Sequence, residues 1–528
     1  MSRPKSPCCA CARPSMPAGD DSFDYVIAGG GTAGCVLARR LLERTDARIA
    51  LIDAGSAAPN RWLQTPLTSV RLGRWWHSWP FTTVPQPALN GRRIALPMGH
   101  VLGGSASINA MIAQPALDAD FDDWAGLGAE GWSSAELAAA RARAFGGDGV
   151  TEGMVALSAP AHRSAFSEAF LEACGEAGLP KRGLLDGPDS ARCGYFPVLQ
   201  KAGRRFSAFH AYLSPVLDHP RLSVITGADI RHLLLAANRA EGVAYVRDRR
   251  LQIARARREV ILALGALESP RILMASGIGP AAMLRRAGIP VMHDLPGVGD
   301  RLADHVRIPI LFRSGRTSPA ALRNLPAAFV ARLSGRNSVL ASNCCEAGAY
   351  LASGASATRP DLQIVTHFQS VEDEGAVDLE LTLARPRSRG RVSLDGAAPG
   401  GAALVDPRYL SDPGDLERLV DGIEMVRSIA ARPALARFPL LGERLPGPAA
   451  RDRAALRRHV RAAATTAFHP VGTCRMGEDG QAVVDSRLRV HGIERLRVVD
   501  ASVMPALPAA NTCCAVMLIA ERAADVMA

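Results

Sequence analysis

Hydrophobic positions along this chain come first in short unbroken runs and later in alternation. Tyr25-Val-Ile-Ala is one such run, and Ile49-Ala-Leu-Ile, closed by Asp53, is another. Between them, residues 35–44 have the spacing of a helix. Unbroken apolar runs of this length mark strands covered on both faces. Residues 22–53 are therefore predicted to form a β-α-β unit. Residues 259–264 and Leu496-Arg-Val-Val-Asp500 read as further buried strands. The first is followed by a Gly265-Ala turn and a helix carrying Ile272, Leu273 and Met274, the second by a C-terminal helix over residues 512–527. A strand is also expected over residues 222–234.

From about residue 309 to 485 the period shortens to two. Asp378-Leu-Glu-Leu-Thr-Leu and Gly390-Arg-Val-Ser-Leu alternate as antiparallel strands do, and residues 415–431 read as an amphipathic helix. No segment of 20–50 residues repeats, which argues against a solenoid or propeller. The expected class is α/β: a Rossmann-like nucleotide-binding domain assembled from N- and C-terminal segments, plus an α+β domain with an antiparallel sheet.

Composition narrows the function. The chain has 528 residues, 48% hydrophobic and 21% charged, enough for two packed domains. A net charge of +11 raises the question of nucleic acid. Lysine, however, occurs only as Lys5, Lys181 and Lys201, and the arginines are scattered. The densest cluster, residues 247–258, is interrupted by Asp248 and apolar residues. A nucleic-acid face is a block or stripe with interleaved aromatics, so no nucleic-acid partner is expected.

The eleven cysteines are odd in number and include the neighbours Cys344–Cys345 and Cys513–Cys514. That pattern fits reduced thiols in a cytoplasmic protein rather than a disulfide framework. Cys8 and Cys11 form a C-x-x-C without a second pair, whereas structural zinc wants four ligands; no metal is expected. No apolar run approaches the ~20 residues of a membrane span, though peripheral association with a membrane stays open. Residues 1–21 lack the apolar core of a signal peptide and are read as a disordered leader. A transit peptide, or a start at Met16, stays open there.

Gly29-x-Gly31-x-x-Gly34 follows the first strand and opens the first helix, the context a dinucleotide fingerprint requires. Gly29 permits the turn, Gly31 the approach of a pyrophosphate, and Gly34 close packing of helix on strand. The phosphates would sit on free N–H groups at the helix N-terminus. Asp53 ends the second strand, placed to accept from a ribose hydroxyl. NAD and FAD use the same loop, and this motif does not choose between them.

Four later strings make the choice. Val101-Leu-Gly-Gly-Ser-Ala-Ser-Ile-Asn109, Leu295-Pro-Gly-Val-Gly-Asp-Arg-Leu-Ala-Asp-His305, His469-Pro-Val-Gly-Thr-Cys-Arg-Met-Gly477 and Arg497-Val-Val-Asp-Ala-Ser-Val-Met-Pro505 with Asn511-Thr occur in this order. Together they resemble the glucose–methanol–choline (GMC) oxidoreductases from about Phe23 to the C-terminus. Gly194-Tyr-Phe-Pro197, Arg205-Phe-Ser-Ala208 and Pro508-Ala-Ala-Asn-Thr512 resemble the bacterial aryl and furanic alcohol oxidases and choline/alcohol dehydrogenases. The resemblance implies a leader over 1–21, an FAD-binding domain over 22–308 with substrate-domain pieces inserted, a substrate domain over 309–485, and a return to the FAD-binding domain over 486–528.

It also implies FAD as cofactor. Thr32, Ala33 and Ala54 join the Gly29 loop and Asp53 in holding it. Leu102, Gly103, Gly104, Ser105 and Asn109 would wrap flavin and pyrophosphate. Ile230 would meet adenine through its backbone, and Asp500, Ala501 and Thr512 would close the site. Ile108 stands where a few relatives carry a flavin-tethering histidine, so FAD is expected to be non-covalent.

The implied reaction is hydride removal from a primary alcohol, giving an aldehyde, with oxygen, a quinone or another electron acceptor. His469 matches the family's general base, a role suited to a side chain that titrates near neutrality. Asn511 matches its partner on the substrate oxygen. His305 and His100 are expected to be structural, His305 as a support of the cofactor domain. Trp62, Trp75, Trp76 and Trp79 are expected to serve core packing first and a cavity wall second.

The chain departs from the family pattern at Met98, at Ala110–Ala116, in a short segment over 146–158, and at Cys513-Cys514-Ala515. These changes bear on substrate range and flavin potential. The alternatives are a lyase or decarboxylase on the same scaffold, and a non-catalytic flavin-binding protein. A serine hydrolase is disfavoured by the lack of a G-x-S-x-G elbow.

Overall fold

The computed structural model describes residues 22–57, 60–68, 77–146, 153–314, 338–354, 357–368, 376–396, 401–437 and 440–527. The expected leader, Trp75, Trp76 and residues 147–152 of the short segment lie outside these.

β1 (Ser22–Ala28), α1 (Thr32–Arg44) and β2 (Ile49–Ile52) form the expected unit, with the two strands parallel. The other edge of β1 pairs in parallel with β3 (Arg250–Leu262). The apolar run at 259–264 marks only the end of β3, a strand of 13 residues. Its first half forms an antiparallel ribbon with Arg239–Arg247 and is partly exposed, so it carries no unbroken apolar run. Its last residues, Val260, Ile261 and Leu262, are fully buried between β1 and the strand Leu496–Val498. One strand thus joins segments from opposite ends of the chain.

Residues 222–234 hold two strands, not the single one expected. Leu222–Ile225 lies parallel to β2, and Asp229–Ala236 pairs antiparallel with Arg239–Arg247. Gly227, at φ +64, turns the chain between them. The amides of Gly227 and Ala228 donate to the carbonyls of Gly55 and Asp53 at 3.1 and 3.0 Å, which ties this turn to the end of β2.

α1 packs on the C-terminal helix Cys513–Met527. A buried pair pins the two: Arg40 donates to Glu521 through Nε and Nη2 at 2.8–3.0 Å, and Tyr212 adds its hydroxyl at 2.9 Å. Breaking one side of such a pair would strand a buried charge.

The second sheet is antiparallel except for one edge pair. β4 (Leu362–His367) and β5 (Ala376–Leu383) form its centre, flanked by Ala347–Leu351 and Arg192–Tyr195 on one side and Leu311–Ser314 on the other. Val306–Ile308 pairs with both β5 and Thr465–Thr466. The two largest apolar cores among the described residues lie around these two sheets. Val471, Cys474, Met476 and Val484 already belong to the first core, ahead of residue 486. No helix among the described residues is long and apolar enough to cross a membrane.

Candidate active site

A cavity of about 580 Å³ runs between the sheets, from the Gly29 loop to His469. That falls in the usual range for ligand sites. At its nucleotide end, Gly31 caps α1 and no described side chain satisfies the helix's first amides. Those amides and the helix dipole suit an anion. Gly34 is needed for packing: a Cβ there would lie 1.9 Å from the Gly29 carbonyl oxygen. Asp53 already accepts from the amides of Gly30 and Gly55, both at 2.6 Å, and its side chain faces the cavity. Burial raises its pKa, and the two amides oppose that.

The loop over residues 103–109 crosses the middle of the cavity. A Cβ on Gly104, at φ +57, would come within 2.9 Å of Gly31 Cα, so the two loops form a cradle open only to backbone. Arg205 knits this loop. Its fully buried guanidinium donates to Leu63 O at 3.0 Å, Ala106 O at 2.8 Å, Asn109 Oδ1 at 2.7 Å and Asn109 O at 2.5 Å. Burial pulls its pKa down to about 9.

At the other end stands a hydrogen-bonded chain. Asn511 Nδ2 lies 3.2 Å from His469 Nε2, His469 Nδ1 lies 3.0 Å from His305 Nδ1, and His305 Nε2 lies 3.0 Å from Ala384 O. A carbonyl only accepts, so His305 must donate from Nε2. In its neutral form its Nδ1 is then an acceptor, and His469 must donate from Nδ1. That leaves the lone pair of His469 on Nε2, facing Asn511 and the cavity. Burial lowers the pKa of both rings, His305 well below its ordinary value and His469 to about 4, so both are neutral at pH 7.

The backbone around His469 is held by Asp304. Its carboxylate accepts from the His469 amide at 2.8 Å and from the Thr466 and Tyr409 hydroxyls, both at 2.5 Å. Burial pushes its pKa up to about 6, against these three donors and the His305 amide. Between Thr466 and His469 the chain turns through Phe468 at φ +67. Asn511 Oδ1 is buried and has no partner among the described residues.

Most of the expected site residues meet in this cavity: Gly29, Gly31, Thr32, Ala33, Asp53, Ala54, Gly104, Ser105, Asn109, Ile230, Asp500, Ala501, Asn511, Thr512 and His469. Three do not line it. Gly34 packs on β1's end, Leu102 is buried in the first core, and Gly103 donates its amide to Gly30 O at 2.8 Å. Asp500 lines the wall, yet its oxygens already accept from Gly265 N, Ser269 Oγ, Ser502 N and Ser502 Oγ at 2.5–2.9 Å. It therefore joins α2 (Gly265–Ala275) to the late strand.

His305 is a correction. Expected to support the cofactor domain, it instead touches His469 and packs beside the second sheet. The tryptophans also depart from expectation: Trp79 lines the cavity against the His100 ring at 4.2 Å, and Trp62 is 57% exposed, so neither is core. Asp304 and the anchoring role of Arg205 escaped the sequence reading. Both sit inside quoted motifs, but their partners are distant in sequence.

The family match agrees with this geometry. Residues 23–307 match the N-terminal part of the GMC oxidoreductases and residues 386–520 the C-terminal part. An alcohol dehydrogenase [acceptor] of Pseudomonas putida is 37% identical over 96% of this chain and 95% of its own. Pyridoxine 4-oxidase from Mesorbium loti is 30% identical with a TM-score of 0.86, covering 95% of this chain and 98% of that one. A formate oxidase of Aspergillus oryzae, studied for modification of its FAD, is 25% identical with a TM-score of 0.88, covering 96% and 98%.

Proposed function

The chain belongs to the GMC oxidoreductase family, an FAD-dependent family acting on CH–OH donors, and we propose that it oxidises a primary alcohol to an aldehyde with His469 as general base. The observation that carries this reading is the ordered chain Ala384–His305–His469–Asn511, which presents an unprotonated Nε2 to the cavity.

The cavity fits FAD on its own evidence: an uncapped helix N-terminus, a cradle that a side chain would fill, and an orphaned Asn511 Oδ1. The Gly29–Ala33 loop and Asp53 would hold the nucleotide; Gly104, Ser105, Asn109, Ala501 and Thr512 would hold the flavin. When bound, FAD supplies the acceptor for the hydride leaving the carbinol carbon. Ile108, an aliphatic side chain on the wall, offers no atom for a covalent tether.

The hydroxyl of the alcohol would donate to His469 Nε2 and accept from Asn511 Nδ2. As the proton passes to Nε2, Asn511 holds the oxygen while its charge develops. The new imidazolium keeps its Nδ1–H on His305, whose lone pair is fixed there by Ala384. The substrate enters a space walled by Trp79, Phe81 and Met98 on one side and the second sheet on the other. A lyase role finds no support in the relatives named above. The free thiols at every described cysteine support residence in a reducing compartment.

The test is an anaerobic absorbance scan with a panel of primary alcohols, aryl and aliphatic. A flavin spectrum that bleaches supports the reading and ranks the substrates. Bound flavin that no alcohol reduces would remove it.

A further inference from the structure

Cys345, His367 and Glu380 lie in line on the cavity wall. Antiparallel pairing sets His367 of β4 opposite Asp378 and Val365 opposite Glu380, so His367 and Glu380 share the face turned to the cavity. Cys345 arrives from the loop before Ala347–Leu351. Cys344 at φ +63 turns that loop, and Asn343 clamps Cys345 by accepting from its amide at 3.3 Å and donating to its carbonyl at 3.2 Å. Cys345 Sγ stands 3.4 Å from His367 Nδ1, and His367 Nε2 stands 3.4 Å from a Glu380 oxygen. A thiol hydrogen-bonded to a base, with a carboxylate beside that base, has the parts of an activated nucleophile in a looser form, since His367 Nε2 itself makes no hydrogen bond.

Resting on the aldehyde product argued above, we propose that these three residues form a second reactive site in the cavity, which captures an aldehyde on Cys345 as a thiohemiacetal. With the proton shared by Cys345 and His367 resting on His367 Nδ1, sulfur attacks the carbonyl carbon, forming a C–S bond. The C=O π pair moves to oxygen, which takes a proton back from His367. No electron acceptor is needed, and the reverse sequence frees the aldehyde. Glu380, 3.4 Å from Nε2 but not hydrogen-bonded to it, favours the imidazolium by charge alone. Burial works against charge on His367, but Cys345 and Glu380 outweigh it and raise its pKa well above the ordinary range. Burial likewise opposes the Glu380 carboxylate; Arg307 and His367 overcome it and bring its pKa to about 2.

His367, Asp378 and Glu380 also place three donor atoms within 4.8 Å of one another, as a metal site would. Glu380, however, is already paired with the Arg307 guanidinium, a cation that a divalent metal would have to displace. The nucleophile reading leaves the Glu380–Arg307 pair in place.

The holoenzyme carries its own control. Cys513 also lines the cavity, and burial pushes its pKa up to about 11. Under limiting iodoacetamide, peptide mapping should find Cys345 alkylated about tenfold faster than Cys513 or more, because His367 stands against the Cys345 thiol as a base. His367→Gln should slow Cys345 by a similar factor. Carbonyl-¹³C benzaldehyde should then give a tetrahedral carbon signal on the wild-type protein and none on Cys345→Ser, while Cys345→Ser keeps its alcohol-driven flavin reduction. Equal alkylation of Cys345 and Cys513, or a tetrahedral signal that survives Cys345→Ser, would overturn the proposal. Alkylation needs no turnover, so a protein that no alcohol reduces but whose Cys345 reacts fast would fail the alcohol reading alone.

Discussion

His469 Nδ1 lies 3.0 Å from His305 Nδ1, the two rings nearly perpendicular, a spacing that takes one proton between two neutral rings. The Ala384 carbonyl fixes which ring owns that proton, because it obliges His305 to donate from its far nitrogen. A neutral base with its lone pair aimed at the cavity is the outcome. His469 is thus oriented by a residue 164 positions earlier in the chain.

His469→Ala should leave a folded, yellow protein. Its rate of anaerobic flavin reduction by alcohol should fall by about 10²–10⁴, the usual contribution of a well-placed general base. Stopped-flow absorbance reads this directly. Unchanged reduction would take His469 out of the mechanism.

His305→Ala should cost roughly 10² in the same rate, the penalty for a misaligned catalytic group, with alcohol binding little changed. His305→Gln should recover part of the loss, since its amide oxygen can accept from His469 Nδ1. If both variants lose activity equally, with the same thermal stability as the parent, the orienting role is wrong.

The pH profile carries the sign of burial. The proposed role of His469 as a base requires it unprotonated, and its pKa is lowered to about 4. Flavin reduction at low alcohol concentration should therefore be flat through neutrality and fall as pH drops through about 4. An unshifted imidazole would instead place the midpoint near 6.5. A profile centred there would show that the ring is not desolvated as its surroundings imply.

Asp304→Asn should lower activity without touching substrate. The carboxylate accepts from the His469 amide and the Thr466 and Tyr409 hydroxyls, and an amide would point its own N–H groups at at least one of them. An unpaired buried donor costs on the order of 1–3 kcal/mol. A lower melting temperature together with a reduced rate, and an unchanged apparent affinity for alcohol, is the expected pattern.

The parts legible in the sequence are those whose signal is local. The Gly29 loop, Asp53 and the first strands are read from a run of some thirty residues because turn, helix and strand each leave their own pattern. His469 and Asn511 are legible only through resemblance to a family; nothing in spacing alone selects His469 among twelve histidines. What stayed hidden depends on contacts between distant segments. His305 meets His469 only because Val306–Ile308 pairs with both β5 and Thr465–Thr466. The split of residues 222–234 into two strands turns on Gly227, whose amide is satisfied by the Gly55 carbonyl in the loop after β2.

Arg205 offers a test of how the flavin loop is held. Its guanidinium reaches three backbone carbonyls, at Leu63, Ala106 and Asn109, plus the Asn109 side chain, so it fixes both ends of the segment that meets the Gly31 loop. Truncation would orphan acceptors at each of these points and open a cavity where a large buried side chain had been. Lysine would not repair it, because one ammonium cannot reproduce a fork that spans two ends of a loop. Arg205→Ala and Arg205→Lys should both purify with less than half the flavin of the parent, read as the ratio of visible to protein absorbance, and melt at lower temperature. Added FAD should restore the melting temperature of the lysine variant in part, by mass action on the folded form. Should Arg205→Lys retain full flavin and full stability, the loop is held by its glycines and its packing rather than by this arginine.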